Sequence, residues 1–281
     1  MSYRREASAL LILRVRAMRR PQVAEWVTST DSHAFFMQLK IKCQRGDDRG
    51  NLNAMMMNSE IKEKYDAWVE KVCAWIDEVG PVINSPSSAM QSPPALDGNC
   101  EILFLGHDAH EPGDFNVRGA DKQRFYEGNG TFASADKTWW PYWVKPCRSF
   151  QRIGEEEALA PGKFMLMNLF YFGGENIAGS TKEVGIKAMQ QCIAFTDELV
   201  HEIVKPKVIV CFSKQNVYCW LCNSKLNSYI ADSKTVKLAD KYNILQGTWG
   251  GIPVIGMNHP SARVSNDYFD TVFKYVVSLT K

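Results

Sequence analysis

The sequence predicts an α/β protein, a three-layer αβα arrangement around a central four-stranded parallel sheet. Two observations carry that expectation. Four short apolar runs, EILFL at 101–105, KFMLMNLFYF at 163–172, PKVIVCF at 206–212 and IPVIGM at 252–257, have the length and composition of strands buried on both faces. Between or after them lie stretches of helical period, and strand, crossover helix and strand in succession pair in parallel with helices covering the sheet.

The chain has 281 residues, 45% of them hydrophobic and 23% charged, enough for one large domain with additional sequence. Residues 1–56 form a basic N-terminal extension. Arg4, Arg5, Arg14, Arg16, Arg19 and Arg20 stand there against Glu6 as the single acid of the first twenty residues, the pattern of a transit peptide or a basic arm. The alternative is an upstream extension of the reading frame, with Met55, Met56 and Met57 marking an internal start. This segment holds 10 Lys or Arg and 5 Asp or Glu; of the chain's 33 and 31, that leaves 23 and 26 beyond it, so +5 is followed by −3. Any contact with a polyanion must therefore come from a local patch rather than a global field.

Residues 57–97 are expected to be a helical lead-in and a connector. Ile61, Tyr65, Trp68, Val69, Val72, Trp75 and Ile76 fall at spacings of three and four, a broad apolar face that some other element must cover. Pro81 is expected to end that helix, and the Ser- and Pro-rich stretch after it reads as the connector. The main domain is placed at 98–281, with helices over 186–204, 213–226 and 266–280 beside the four strands. No run of eighteen apolar residues is present, so a soluble, cytoplasmic chain without a membrane partner is expected.

Eight cysteines without a secretory signal are expected to be reduced. Cys219 and Cys222 form a CxxC, but no second pair stands at zinc-finger spacing, and buried structural thiols are the expectation.

In a parallel sheet the loops at the carboxyl ends of the strands carry the ligand site. The loop after the first strand is GHDAHEPGDFN, 106–116, and the loop after the fourth is NHPSARVSN, 258–266. His107, His110 and His259, three of the five histidines, lie in these loops with Asp108, Glu111 and Asp114. Ionisable groups are thus concentrated where a ligand would sit.

Four features in order resemble the uracil-DNA glycosylase superfamily over residues 98–281: a strand followed by Gly106-His107-Asp108, a strand ending near Asn168, the strand at 206–212 followed by a helix, and a strand followed by His259-Pro260-Ser261. His-Pro-Ser after a strand is the most specific of them. Two departures bear on the substrate. Ala109 follows Asp108 where relatives carry proline, with Pro112 only three residues later; and His110 stands where the uracil-specific branch carries the aromatic residue that closes the C5 side of the pyrimidine.

The resemblance implies a monomeric, monofunctional DNA glycosylase that needs no metal or cofactor. Its partner is DNA holding a uracil or modified pyrimidine, which must be flipped from the stack at a cost of a few kcal/mol. Asp108 would hold or deprotonate the attacking water and stabilise the cation growing on the sugar. His259 would donate to pyrimidine O2 as charge develops on the leaving base, and Asn168 would read an edge of that base. Gly106, His107 and His110 would line the pocket, with Phe115, Phe125 or Tyr126 stacking on the base. Ser261 would bond a backbone phosphate, and Arg263 would enter the gap in the stack. Trp139, Trp140 and Trp143 are expected in the core. No lysine of the matched motifs stands where a Schiff base would form, so the expected product is an abasic site without strand cleavage.

Uracil is the first substrate expected; a bulky modified cytosine, such as glucosylated hydroxymethylcytosine in viral DNA, is the second and would make the enzyme antiviral. Two rival readings use the same residues. One is a metal-dependent hydrolase built on His107, Asp108, His110, Glu111 and Asp114; the other is a base-flipping sensor without catalysis.

Overall fold

The computed structural model describes residues 59–83, 89–110, 120–128, 141–174 and 177–281, the side chains at 80–83, 109–110, 141, 174 and 177–184 excepted. The extension at 1–56 lies outside the described residues.

All four expected strands form, as β1 (Ile102–Gly106), β3 (Phe164–Asn168), β5 (Val208–Phe212) and β8 (Ile252–Met257). They pair in parallel in the order β3-β1-β5-β8. The sheet does not stop at four strands. An antiparallel hairpin, β6 (Ala231–Leu238) and β7 (Tyr242–Trp249), continues it beyond β8 to give six. Two further residues of each strand-end loop, β2 (Ala109–His110) and β4 (Gly173–Gly174), pair in parallel as a separate ribbon.

Alternation along the parallel strands divides the core. Leu103, Leu105, Met165, Met167, Ile209, Cys211 and Val254 pack on one side, Ile102, Phe104, Leu166, Val208, Val210, Phe212, Ile255 and Met257 on the other. Successive strand side chains point to opposite faces, so both faces must be covered by helices, and they are. The first side carries α1 (Ser59–Ile83) and α4 (Ile177–Glu198), through Trp68, Val72, Ile76, Met189, Cys192 and Ile193. The second carries α3 (Pro141–Ile153) and α5 (Asn266–Ser278), through Cys147, Phe150, Phe269, Val272, Phe273 and Val276.

The apolar stripe predicted on α1 is therefore core, not lead-in. Trp68 donates its indole N–H to the Phe195 carbonyl at 2.9 Å, and the Tyr65 hydroxyl donates to the Phe125 carbonyl at 2.5 Å. The helix passes Pro81 and ends at Ile83. Proline removes one amide donor but leaves the flanking ladder, and a last turn commonly runs on by a residue or two. On α4, Gly185 sits at φ 71° and breaks the helix in two, so the regular part begins where the amphipathic pattern does, at Ile186.

The connector before β1 has a structural task. Asn168 donates its backbone N–H to the Ala89 carbonyl at 2.7 Å, and the amides of Gln91 and Ser92 both bond the Leu166 carbonyl at 3.0 Å. The Ser92 hydroxyl accepts the Leu166 amide at 2.9 Å. The free edge of β3 is thereby closed against pairing with another chain.

Trp143 is core as expected, stacked on Phe164 with centroids 5.3 Å apart. Trp139 and Trp140 lie outside the described residues. Cys73, Cys100, Cys147, Cys192, Cys211, Cys219 and Cys222 are free thiols. The expectation of buried thiols fails for the CxxC: the helix forms, Lys214–Tyr218 running directly into Cys219–Leu221, but it buries Val217, Tyr218 and Leu221 and leaves Cys219 exposed and Cys222 half-buried. No helix among the described residues is long and apolar enough to cross a membrane.

Candidate functional site

β1 and β3 pair in register to their last residues, Gly106 opposite Asn168. The ladder then continues through the loops: Leu169 donates to the Gly106 carbonyl and Phe170 to the His107 carbonyl, both at 2.9 Å. Beyond these, Ala109 pairs with Gly173 and His110 with Gly174. Asp108 is thus the residue between two zipped stretches, its backbone held on both sides although it lies in a loop.

The Asp108 side chain is only 8% exposed and that of His107 6%. His107 Nδ1 lies 3.0 Å from Asp108 Oδ1, an ion-pair distance, but the two are not aligned as a hydrogen bond. The imidazole packs edge-on to Phe170 at 4.8 Å, and its Nε2 is buried with no hydrogen-bond partner among the described residues. His107 is therefore part of the wall behind Asp108.

Asn168, 4% exposed, closes β3 with its amide turned toward β1. A glycine opposite is what allows this. A β-carbon on Gly106 would fall on Asn168 Oδ1 and stand 2.5 Å from the Tyr142 hydroxyl.

His259 follows β8 by two residues, in a loop tied down at several points. The Asn258 amide donates to the Tyr268 hydroxyl at 2.8 Å, and Ala262 donates to the His259 carbonyl at 2.8 Å. The Lys145 ammonium on α3 donates to the Ala262 carbonyl at 2.9 Å. On the imidazole, the Ser261 amide donates to Nδ1 at 3.2 Å, and the Ser261 hydroxyl lies 2.6 Å from the same nitrogen. An amide can only donate, so Nδ1 is the acceptor and the proton of the neutral ring is on Nε2. Burial, and after it the nearby charge of Lys145, holds the imidazole below its ordinary pKa. The ring is thus a neutral Nε2–H donor near pH 7.

Tyr142, at the start of α3, joins the two sides of the site. Its ring lies 5.4 Å from that of His259 at 35°, and 5.3 Å from Phe212 at the end of β5, edge-on. Its hydroxyl reaches Gly106. Sequence reasoning missed this residue. The only signal was the aromatic density of 139–143, and nothing there singles out Tyr142.

Asp108, Asn168 and His259 thus stand at the carboxyl ends of β1, β3 and β8, with Gly106 and His107 beside them. Ser261 is exposed but directed at His259, and Arg263 is exposed on the same loop. The structure does not bring Phe125 and Tyr126 into this group. α2 (Lys122–Glu127) lays them on α1: Phe125 is fully buried, edge-on to Trp68 at 5.8 Å, and the Tyr126 hydroxyl donates to Asp66 Oδ1 at 2.8 Å. They cover the apolar stripe of α1, and Phe125 as packed has no face left for a base. Phe115, Glu111 and Asp114 lie outside the described residues, as does the side chain of His110. Among the described residues no three His, Cys, Asp or Glu side chains come together as a metal site.

The chain matches no model of a known protein family and no curated protein.

Proposed function

We propose that the protein is a monofunctional DNA glycosylase of the uracil-DNA glycosylase type, hydrolysing the N-glycosidic bond of a flipped pyrimidine through Asp108, Asn168 and His259. The observation that carries this is the placement of a buried carboxylate, a buried amide and a neutral Nε2–H imidazole at the carboxyl ends of parallel strands in one sheet. The order β3-β1-β5-β8 with helices on both faces is compatible with the core that the resemblance implies.

Each group suits its role. Asp108 supplies negative charge from a position with little solvent screening, where it acts most strongly on a developing cation. His259 supplies a hydrogen bond to a developing anion from an uncharged ring, as an oxyanion-hole donor does, and such a donor is worth about 2.7–4 kcal/mol. Asn168 offers a donor and an acceptor from one rigid strand end. DNA is the partner, and Arg263 is placed on the loop that would face it.

The test is an excision assay with EDTA present, on duplexes carrying uracil or another modified pyrimidine, glucosylated hydroxymethylcytosine included, followed by hot alkali and a denaturing gel. Strand breaks only after alkali, absent in Asp108→Ala, support a metal-free glycosylase, and the duplex that is cut names the base. Cleavage abolished by EDTA would favour a metal-dependent hydrolase. Binding of modified DNA without abasic sites would favour the sensor.

A further inference from the structure

We infer that Tyr142 is a positioning residue of this site, a rigid spacer that sets where the His259 imidazole and the Asn168 amide stand relative to each other. Its consequence for catalysis rests on the glycosylase reading; its geometric content does not.

The side chain enters from the first turn of α3, just after Pro141, whose fixed φ suits the first position of a helix. From there it meets the carboxyl ends of β1 and β5 and the imidazole that follows β8. The hydroxyl comes to Gly106 of β1, at the spot that Asn168 Oδ1 of β3 also approaches. The ring edge meets Phe212 of β5 at 5.3 Å, and the ring face is tilted 35° from the imidazole after β8 at 5.4 Å.

Ser261 fixes the protonation of His259 but not the whole orientation of its ring, because a ring held only through Nδ1 can still tilt about that contact. Packing of an aromatic face against the imidazole removes this freedom and with it the spread in the direction of Nε2–H. Hydrogen bonds weaken steeply with misalignment, so the direction of the donor is functional. At the other end the hydroxyl and Asn168 Oδ1 converge on the same point beside Gly106, which puts the end of the side chain close to the amide. Burial raises the phenol well above its ordinary pKa, so Tyr142 stays neutral and acts through its shape, not as an acid or base.

Two variants of the full-length chain separate ring from hydroxyl: Tyr142→Phe keeps the ring, and Tyr142→Leu keeps neither. Long-range proton–nitrogen correlation spectra of the His259 imidazole read its tautomer and titration whether or not the protein is active. The Nε2–H form, fixed by Ser261, is expected in wild type and both variants, with sharp imidazole signals in wild type and Tyr142→Phe and broadened or split ones in Tyr142→Leu, where the ring is free to tilt. In single-turnover excision of whichever base the wild type removes, Tyr142→Leu should lose roughly 10- to 100-fold in rate while DNA affinity stays within about threefold.

An unchanged His259 spectrum in Tyr142→Leu overturns the inference, and so does a loss of affinity equal to the loss of rate. If Tyr142→Leu does not fold, Tyr142→Phe decides, because broadened or split imidazole signals with the ring retained overturn it as well. If the wild type excises no base, the glycosylase reading fails, and the His259 spectrum alone decides the role of Tyr142.

Discussion

Replacing Gly106 with alanine tests the site where β1, β3 and α3 come closest. The Gly106 φ is outside the left-handed region, so alanine is accepted by the backbone and the effect is steric. The added β-carbon would overlap Asn168 Oδ1 and lie 2.5 Å from the Tyr142 hydroxyl, where real β-carbons keep 3.0 Å or more. The hydroxyl must then retreat by 3.0 minus 2.5, about 0.5 Å, and the amide by more. Overpacking of this size costs about 1–3 kcal/mol, of which replacing a glycine recovers about 0.4–1 through the unfolded chain. The net loss is about 1–2 kcal/mol, equivalent to a Tm lower by about 2–8 °C in a domain of this size. On the proposed glycosylase reading the loss of rate should exceed the loss of stability, because a displacement near 1 Å in a base-reading group costs about 10²-fold. Thermal unfolding and single-turnover excision at a temperature where the variant is fully folded measure the two effects separately. An alanine variant that excises within about threefold of wild type would refute the placement of Asn168 as the base-reading group.

Three further outcomes are expected. Lys145→Gln should raise the titration of His259 toward the ordinary value of about 6.5, because one of the two causes holding it down is removed, and an unmoved NMR titration would count against the electrostatic account. The fold favours the neutral ring, so the stability His259 contributes is complete above about pH 6.5 and is lost as pH falls through its lower folded pKa; His259→Gln should flatten that part of the stability–pH curve in denaturant titrations. Phe125→Ala should cost about 3–5 kcal/mol of stability by emptying the space beneath α1, while the base preference of the remaining folded protein stays as it was. A change of preference would return Phe125 to the site.

The parallel strands were legible because both of their faces are buried, which writes each one as an uninterrupted apolar run. The hairpin was not. β6, ADSKTVKL, is exposed along most of its length at the sheet edge, and a polar strand without alternation has no signal to read. α3 was hidden by its prolines, since Pro141 and Pro146 read as breaks; the first is at a position where helices accept proline, and the second is carried inside the helix. Asp108, Asn168 and His259 could be singled out as candidates because each ends or closely follows a recognisable strand. Tyr142 could not, because what sets it apart is its contacts with Gly106, Phe212 and His259, all distant in the chain. The aromatics at 125 and 126 were misplaced for the complementary reason. Ring density marks surface to be buried but not which surface, and here the open apolar stripe of α1 takes them.

The two halves of the site are held by different means, and this bears on how each tolerates change. Asn168 ends the β1–β3 ladder and Asp108 lies between that ladder and the separate β2–β4 ribbon, so both are placed by backbone pairing. His259 belongs to a loop fastened by side chains: Lys145 from α3, Tyr268 from α5, and Tyr242 at the start of β7, whose hydroxyl lies 2.8 Å from Ser265 Oγ. The hairpin is itself pinned to the turn after β5, where Lys214 donates to the Asn243 carbonyl at 2.8 Å and to its side-chain oxygen at 2.6 Å. The added strands therefore brace the loop that carries His259, on the side where the parallel sheet has no further strand to do so. Single side-chain substitutions should move His259 more readily than Asp108. Tyr142, which touches both halves, is the contact through which a shift in one would reach the other.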